Sequence, residues 1–413
     1  MENSITPVKF PTALVVTFKR PFYMVRSDEE VWEFKPPLRY VFMSDHLPLI
    51  ADYVDKVSPL ESCSFYNPLF AGANLMGRSI YVERHRDRGI GDLLFMTGVL
   101  NYIQHVTTGT AQIYFYTLSD RGGVLFNHPT LAGRMPYYGP VIADSLKSFD
   151  YHWILPSLTE VNEEDDQLNV YDALFRSVGL DPKEIDPKFK RPSISLDEKD
   201  DANLDSLFFF IFGDHRIDLR KTPYYVVTPF CYSDLRAYPY KMWLALIKEL
   251  SEQRPVVVLG QFKHRLPTPD MSASDFLDLL SQINGKNPII NLVGDIPLRL
   301  SMSVIAKARC LFTPDTGPLY IAQAARTPAI SLWGSMHPGA RIGYDQEYME
   351  TAVWTRKACN HAPCFVYDKF PVNKCPRHDV QRTCEVLLNT ETTQILEKLE
   401  KVESTRPVTL SLK

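Results

Sequence analysis

From residue 79 onward, short apolar runs alternate with longer segments in which apolar residues recur at helical spacing. In the second half, the runs predict strands at 224–228, 256–259, 289–293, 310–313 and 329–333. The segments between and after them predict helices at 241–253, 274–283, 298–308, 319–325 and 390–402. Strands that alternate with helices in this way favour a parallel α/β sheet with helices on both faces.

The first half shows the same rhythm after a different beginning. Strands are predicted at 79–83, 112–116 and 151–155, with a loop at 84–91 and a helix at 92–103 after the first of them. Before them, short β-branched and aromatic runs at 13–18, 22–25 and 31–34 predict a small meander, followed by a helix at 47–57. A polar, acidic stretch at 194–205 suggests a boundary between two lobes.

These patterns predict four parts of the chain. They are a β-rich appendage at 1–75, a Rossmann-like lobe at 76–205, a second Rossmann-like lobe at 206–390, and a helix with a tail at 391–413. Ligands of open parallel sheets bind beyond the carboxyl ends of the strands. Two such lobes in tandem are therefore expected to face a ligand cleft.

Composition narrows the class of protein. The 413 residues are 45% hydrophobic and 23% charged, as in ordinary globular proteins, and the net charge of −4 lacks the basic surplus of a bulk nucleic-acid binder. No signal peptide is evident, and no run approaches the roughly 18 apolar residues that span a bilayer, so we expect a cytoplasmic protein. An odd number of cysteines, seven, argues against a disulfide framework.

The most informative motif follows the strand predicted at 310–313. Asp315 or Thr316 can cap a helix, Pro318 suits its first turn, and Gly317 allows a ligand to approach the backbone. The free N–H groups and the dipole of a helix start favour an anion such as a diphosphate. An ordinary capped helix remains an equal alternative on this segment alone.

Other candidate residues also follow predicted strands. Asp92, after Gly89 and Gly91, is a candidate general base, although a plain helix cap is the simpler interpretation. Arg236, close to Ser233, could neutralise a diphosphate leaving group, although a surface arginine is the commoner case. Gly260 and Gly294 end two further strands, where a nucleotide would lie, but each alone is only a turn glycine.

Taken in order, these segments resemble the ADP-heptose:lipopolysaccharide heptosyltransferases, glycosyltransferase family 9. The resemblance covers roughly residues 79–385 and runs through Gly91-Asp92, Ser233…Arg236…Pro239…Trp243, Gly260, Asn291-Leu-Val-Gly294, Asp315-Thr316-Gly317 and Gly334-Ser…Pro338. It implies the GT-B fold and an inverting, metal-independent transfer that needs no cofactor besides its substrate, a nucleotide-diphosphate sugar.

The resemblance also implies a role for each of several residues and the lobe on which each substrate binds. Asp92 falls at the position of the catalytic base, on the acceptor lobe. Arg236, Thr316 and Gly317 fall where the family binds the diphosphate, on the lobe of the nucleotide-sugar, and Asp315 falls where sugar hydroxyls are held. The chain departs from the family at Tyr320, where a histidine is usual, and at Gly98, where a proline is usual.

Two further groups of residues could either bind a ligand or have no role in binding. Cys359, Cys364, Cys375 and Cys384 could hold a structural zinc, but their irregular spacing favours simple thiols. Arg84, Arg86 and Arg88 precede Asp92; they are either solvated loop residues or ligands of acceptor phosphates. Those phosphates could belong to a lipopolysaccharide or glycan acceptor, or to DNA that carries a hydroxylated base.

The sequence therefore predicts a glycosyltransferase whose acceptor is either a glycan sugar or a hydroxylated DNA base. Two alternatives stay open. One is a nucleotide-sugar epimerase of similar fold, and the other is a non-catalytic nucleotide-sugar-binding protein.

Overall fold

The structure, a computed structural model, describes residues 13–25, 31–44, 47–70, 72–84, 89–118, 122–137, 141–155, 169–231, 233–261, 270–294, 296–355, 359–364 and 384–405. The chain divides into two compact units, Met1–Lys190 and Arg191–Lys413. No helix within the described ranges is both long enough and apolar enough to cross a bilayer. The four predicted domain ranges remain a prediction.

The first unit begins with a small antiparallel sheet. Its elements are β1 Ala13–Phe18, the hairpin of β2 Phe22–Val25 and β3 Val31–Phe34, β4 Tyr40–Met43, the short helix α1 Leu47–Ile50 and β5 Val54–Pro59. The sheet has the strand order β4-β1-β5, and β2 and β3 pair separately as a two-stranded sheet. Alternate residues of β1 face two different cores, as expected of a strand that is covered on both sides: Val15 faces one, and Leu14 and Val16 face the other.

The helix predicted at 47–57 is wrong beyond its first turn. A 3₁₀ turn at Ala51–Tyr53 follows α1, and β5 then pairs antiparallel with β1. The β-branched residues Val54 and Val57 suit this pairing, and hydrogen bonding to a distant strand decides against continued helix.

A parallel sheet completes the first unit. Its elements are β6 Ser79–Arg84, α2 Ile90–Val106, β7 Gln112–Leu118, β8 Gly133–Tyr137, β9 Tyr151–Leu155 and α3 Val170–Ser177. The strand order β8-β7-β6-β9 places successive strands on one side of β6 and then returns to its other side. Val15 and Leu60 of the N-terminal region share a core with Tyr81 and Ile154 of this sheet, so both sheets belong to one folded unit.

The second unit is a larger parallel sheet with helices between its strands. Its elements are α4 Glu198–His215, β10 Tyr225–Val227, α5 Tyr240–Gln253, β11 Val256–Gly260, α6 Ala273–Leu280, β12 Ile289–Val293, α7 Leu298–Ala306, β13 Cys310–Pro314, α8 Gly317–Ala325, β14 Ala329–Leu332, α9 Gly339–Ile342, α10 Gln346–Thr351, β15 Ala352–Val353, α11 Glu385–Leu388 and α12 Thr392–Thr405. The strand order is β12-β11-β10-β13-β14-β15, with all neighbours parallel. This is the Rossmann order, and it reverses between β10 and β13.

The acidic stretch that suggested a lobe boundary begins a helix of the second unit. Asp197 caps α4 and forms a reciprocal capping box with Asp200, whose carboxylate also pairs with Arg299. The predicted fold class is confirmed in its described features: a β-rich N-terminal region is followed by two parallel α/β sheets.

Candidate functional site

The carboxyl ends of β10 and β13 lie side by side where the strand order of the second unit reverses. In open α/β sheets this reversal is the place where ligands bind. The residues that follow the two strands, 228–239 and 315–317, include five of the predicted site residues: Ser233, Arg236, Asp315, Thr316 and Gly317.

A hydroxyl ladder fixes the turn between β13 and α8. Thr228 Oγ1 lies 2.7 Å from Thr313 Oγ1, which lies 3.2 Å from Thr316 Oγ1. Thr316 is the N-cap residue of α8, but its side chain accepts no capping hydrogen bond from the helix. The half-buried helix start at Thr316 and Gly317 thus keeps the positive end of the helix dipole available to an anion.

Arg236 reaches this turn from the neighbouring loop. Its Nη1 donates to the carbonyl oxygen of Asp315 at 3.0 Å and lies 3.9 Å from Asp315 Oδ2. The side chain of Arg236 is 20% exposed, and its backbone N–H donates to the carbonyl oxygen of the buried Ser233. Strand order therefore brings Arg236, Asp315 and Thr316 together, although 79 residues separate the first two.

Gly260 and Gly294 end two strands on the same edge of the sheet. The N–H of Gly294 donates to the carbonyl oxygen of Gly260 at 2.7 Å. Both glycines have positive φ, +144° at Gly260 and +83° at Gly294. A Cβ at Gly260 would lie 2.6 Å from the ring of Phe230. Packing against this ring is thus a reason for glycine at 260 that is independent of any nucleotide.

The carboxylate of Asp315 lies deeper than its place in the motif suggests, with the residue only 2% exposed. Its Oδ1 accepts a hydrogen bond from the Tyr320 hydroxyl and lies 3.6 Å from Arg341 Nη1. Burial, and then the charge of Asp315, hold the pKa of Tyr320 well above its ordinary value, so this hydroxyl stays protonated and donates. The sequence marked Tyr320 only as a departure from the family and gave no signal for Arg341.

The corresponding edge of the first unit carries Asp92. Gly89, rather than Asp92, occupies the N-cap position of α2, so the carboxylate lies in the first turn without capping the helix. Its side chain is 23% exposed, and its Oδ2 lies 3.9 Å from Nη2 of the buried Arg84. Among the residues that the structure describes, Nε and Nη1 of Arg84 have no hydrogen-bond partner. Arg86 and Arg88 lie outside the described residues.

Three of the four clustered cysteines are described. Cys359 and Cys364 are half-buried, Cys384 is buried, and Cys375 lies outside the described residues. Burial raises the pKa of Cys384 to about 11, and the nearby thiols of Cys364 and Cys359 add to this effect. In the described part of the chain, no three His, Cys, Asp or Glu side chains are grouped to hold a metal ion.

Comparisons with known proteins identify the family. The profile of glycosyltransferase family 9 (heptosyltransferase) matches residues 158–373, which is more than half of the chain. No curated protein matches the chain in a sequence search.

Solved structures share the fold at low sequence identity. The glycosyl transferase family 9 from Veillonella parvula DSM 2008 aligns with TM-score 0.56 and 10% identity, over 81% of this chain and 99% of that chain. The E. coli ADP-heptose lipopolysaccharide heptosyltransferase II aligns with TM-score 0.51 and 13% identity, over 79% of this chain and 99% of that chain. The dodecameric, iron-containing glycosyltransferase TibC from enterotoxigenic E. coli H10407 aligns with TM-score 0.54 and 12% identity, over 96% and 93%.

These structures confirm the predicted GT-B fold, and the profile match confirms the predicted resemblance. The chain belongs to glycosyltransferase family 9, the heptosyltransferase family, and is a glycosyltransferase.

Proposed function

We propose that this protein transfers a sugar, with inversion and without a catalytic metal, from a nucleotide-diphosphate sugar to a hydroxyl of a glycan acceptor. The observation that carries the proposal is the contact of Arg236 with the Asp315–Thr316 turn at the strand-order reversal of the second unit. A cation and a helix start at one sheet edge form a site for a diphosphate.

The nucleotide-sugar side of the reaction is assigned to the second unit. The diphosphate rests on the helix start at Thr316 and Gly317 and is neutralised by Arg236, while Ser233, Gly260 and Gly294 line the surrounding loops. The carboxylate of Asp315 accepts a hydrogen bond from a hydroxyl of the sugar. ADP-D-β-D-heptose, which is bound in a structure of TibC, is the first nucleotide-sugar to test.

The acceptor side is assigned to the first unit. Asp92 removes the proton of the acceptor hydroxyl while its oxygen attacks the anomeric carbon. The bond from that carbon to the diphosphate breaks on the opposite side, and the electron pair leaves on the diphosphate oxygen. Buried donors without a partner are costly, and Nε and Nη1 of Arg84 have no partner among the described residues, which supports binding of an anionic acceptor group there. Arg86 and Arg88 are proposed to assist.

The proposal includes independence from metal ions, because Arg236 and the start of α8 together offer positive charge to the leaving diphosphate. TibC, which shares the fold, is iron-containing, and dialysis against a chelator tests whether this protein needs a metal. Activity that survives prolonged dialysis against a chelator supports the proposal, whereas loss of activity that iron or zinc restores contradicts it.

A glycan acceptor is preferred over a hydroxylated DNA base, because the family that matches is described as heptosyltransferase. The test is incubation of the protein with ADP-heptose, with and without truncated lipopolysaccharide cores or duplex DNA that contains hydroxymethylated bases. We expect a glycosylated core with inverted anomeric configuration, detected by mass spectrometry and by NMR coupling constants.

The same incubation separates the alternatives. Conversion of the nucleotide-sugar without any acceptor would identify an epimerase. Binding without turnover across the acceptors would indicate a non-catalytic protein, and transfer to DNA alone would replace the glycan assignment.

A further inference from the structure

Two buried side chains beyond the Asp315-Thr316-Gly317 segment surround one oxygen of Asp315. Tyr320, 1% exposed, donates its hydroxyl hydrogen to Asp315 Oδ1, and Arg341, 8% exposed, lies 3.6 Å from the same oxygen. Arg341 reaches Asp315 from α9, a short helix that follows β14. The carboxylate is thus held by α8 on one side and by α9 on the other.

Arg341 is itself fixed in place. Its Nε lies 3.2 Å from Met336 Sδ, and its Nη1 lies 3.5 Å from the Tyr320 hydroxyl. A charged donor and a neutral donor that converge on one buried carboxylate oxygen restrict rotation of that carboxylate. Asp315 is therefore a preorganised acceptor.

The second oxygen of Asp315 has different surroundings. Oδ2 is buried and accepts no hydrogen bond from any residue in the described ranges, although Arg236 Nη1 lies 3.9 Å away. Buried acceptors without a donor are unfavourable and call for a ligand or another explanation. Arg236 is partly exposed, and a diphosphate that draws its guanidinium away would leave Oδ2 open to a hydroxyl of the attached sugar.

We propose that Tyr320 and Arg341 are positioning residues that hold Asp315 by Oδ1 and reserve Oδ2 for a hydroxyl of the nucleotide-sugar. They thereby set the preference for a sugar with a hydroxyl at that place over its deoxy analogue. This inference rests on the proposed function, since it presumes that a nucleotide-diphosphate sugar binds beside Arg236. A site built around a buried acceptor discriminates strongly against ligands that leave it unpaired.

The test compares the affinities of ADP and ADP-heptose by calorimetry in the full-length protein. The dissociation constant of ADP divided by that of ADP-heptose isolates the contribution of the sugar, and a larger ratio means a larger contribution. We expect Tyr320→Phe and Arg341→Met to lower this ratio by about tenfold or more while the affinity for ADP itself stays nearly constant. Arg341→Lys keeps a cation beside Oδ1 and should recover part of the lost ratio.

Arg326→Met is the matched control. Arg326 also lies at α8 and pairs with Asp345 and Glu347, away from Asp315, so its replacement should leave the ratio unchanged. Melting temperatures of all variants identify any that do not fold, and Tyr320→Phe, which keeps the ring in place, then carries the test.

The outcomes separate the two levels of the argument. If the wild-type protein binds neither ligand, the proposed function fails and this inference fails with it. If the wild-type protein binds ADP-heptose more tightly than ADP, but folded Tyr320→Phe and Arg341→Met keep the same ratio, the positioning role is refuted while the proposed function stands. An equal loss of affinity for ADP and ADP-heptose would also refute it, because it would indicate a general structural effect.

Discussion

Arg236 makes two different contacts with one turn, a hydrogen bond to the backbone carbonyl of Asp315 and a longer charge contact with its carboxylate. The first orders the turn, and the second leaves much of the cationic charge available, since a 3.9 Å separation is too long for a direct hydrogen bond. Such a side chain can stabilise charge that develops on a leaving diphosphate.

Replacement of Arg236 therefore has a definite expected result. Arg236→Ala should weaken the binding of a nucleotide-diphosphate sugar by about tenfold or more, because a charge-assisted contact with the diphosphate is lost. Titration calorimetry measures this directly. Arg220→Ala, which removes an exposed arginine that pairs with Asp218, is the control. Equal affinities of the wild-type protein, Arg236→Ala and Arg220→Ala would exclude the role of Arg236 in binding the diphosphate.

Asp92 offers a complementary prediction about turnover. Asp92→Asn keeps the shape of the side chain and removes its capacity as a base, so the rate of transfer should fall by about 100-fold or more. Binding of the nucleotide-sugar should be unaffected, because the proposed diphosphate contacts all lie in the second unit. Asp55→Asn, an exposed change on β5, is the control, and near-normal turnover of Asp92→Asn would remove Asp92 from the mechanism.

At the scale of elements, Gly98 shows how one position fixes the packing of a helix. It lies in the middle of α2, and a Cβ there would clash with the carbonyl oxygen of Phe189 and lie 3.1 Å from the ring of Tyr171. The absence of a side chain allows the 3₁₀ turn Pro187–Phe189 to lie directly against the helix. The departure from the family's proline at this position thus has a packing reason.

Gly98→Ala should lower the free energy of unfolding by about 1–3 kcal/mol through overpacking. Gly213→Ala is the matched control within α4, where a Cβ meets nothing within 4 Å, and it should stabilise the protein by about 0.5–1 kcal/mol. Denaturant titrations of both variants measure the difference. Similar changes in the two proteins would show that the contact with Phe189 yields without strain.

Sequence patterns predicted some elements much better than others. β13 was predicted at 310–313 and is Cys310–Pro314, because a run buried on every residue stands out from its polar flanks. β8 Gly133–Tyr137 was missed, since Gly-Arg-Met-Pro-Tyr has no apolar run and its strand form depends on pairing with β7. α4 was read as a polar boundary because its acidic first turn hides the later apolar positions Leu204, Phe208 and Ile211.

In the candidate site, too, some contacts could be predicted from the sequence and others could not. Arg236, Asp315 and Thr316 follow strands that any Rossmann order makes neighbours, so their proximity could be predicted from the alternation alone. The contact of Arg341 with Asp315 could not, because it depends on the path of the chain after β14 and on the short helix α9. Tertiary contacts of irregular segments leave no periodic trace in a sequence.

At the scale of the whole molecule, each unit has its own reversal of strand order, and each reversal carries a different chemistry. The first unit offers the carboxylate of Asp92 beside Arg84, and the second offers the cation of Arg236 beside a helix start. Under the proposed function, the acceptor binds to the first unit and the nucleotide-sugar binds to the second. The central claim is that the diphosphate binds at the edge of the second unit.

Hydrogen–deuterium exchange with and without saturating ADP-heptose tests that claim most directly. We predict slower amide exchange at residues 228–237 and 313–319, because the bound diphosphate orders both loops and engages amides of the helix start. The segment from β6 to the first turn of α2 should change little. Unchanged exchange at 228–237 and 313–319, with protection confined to the first unit, would contradict the account.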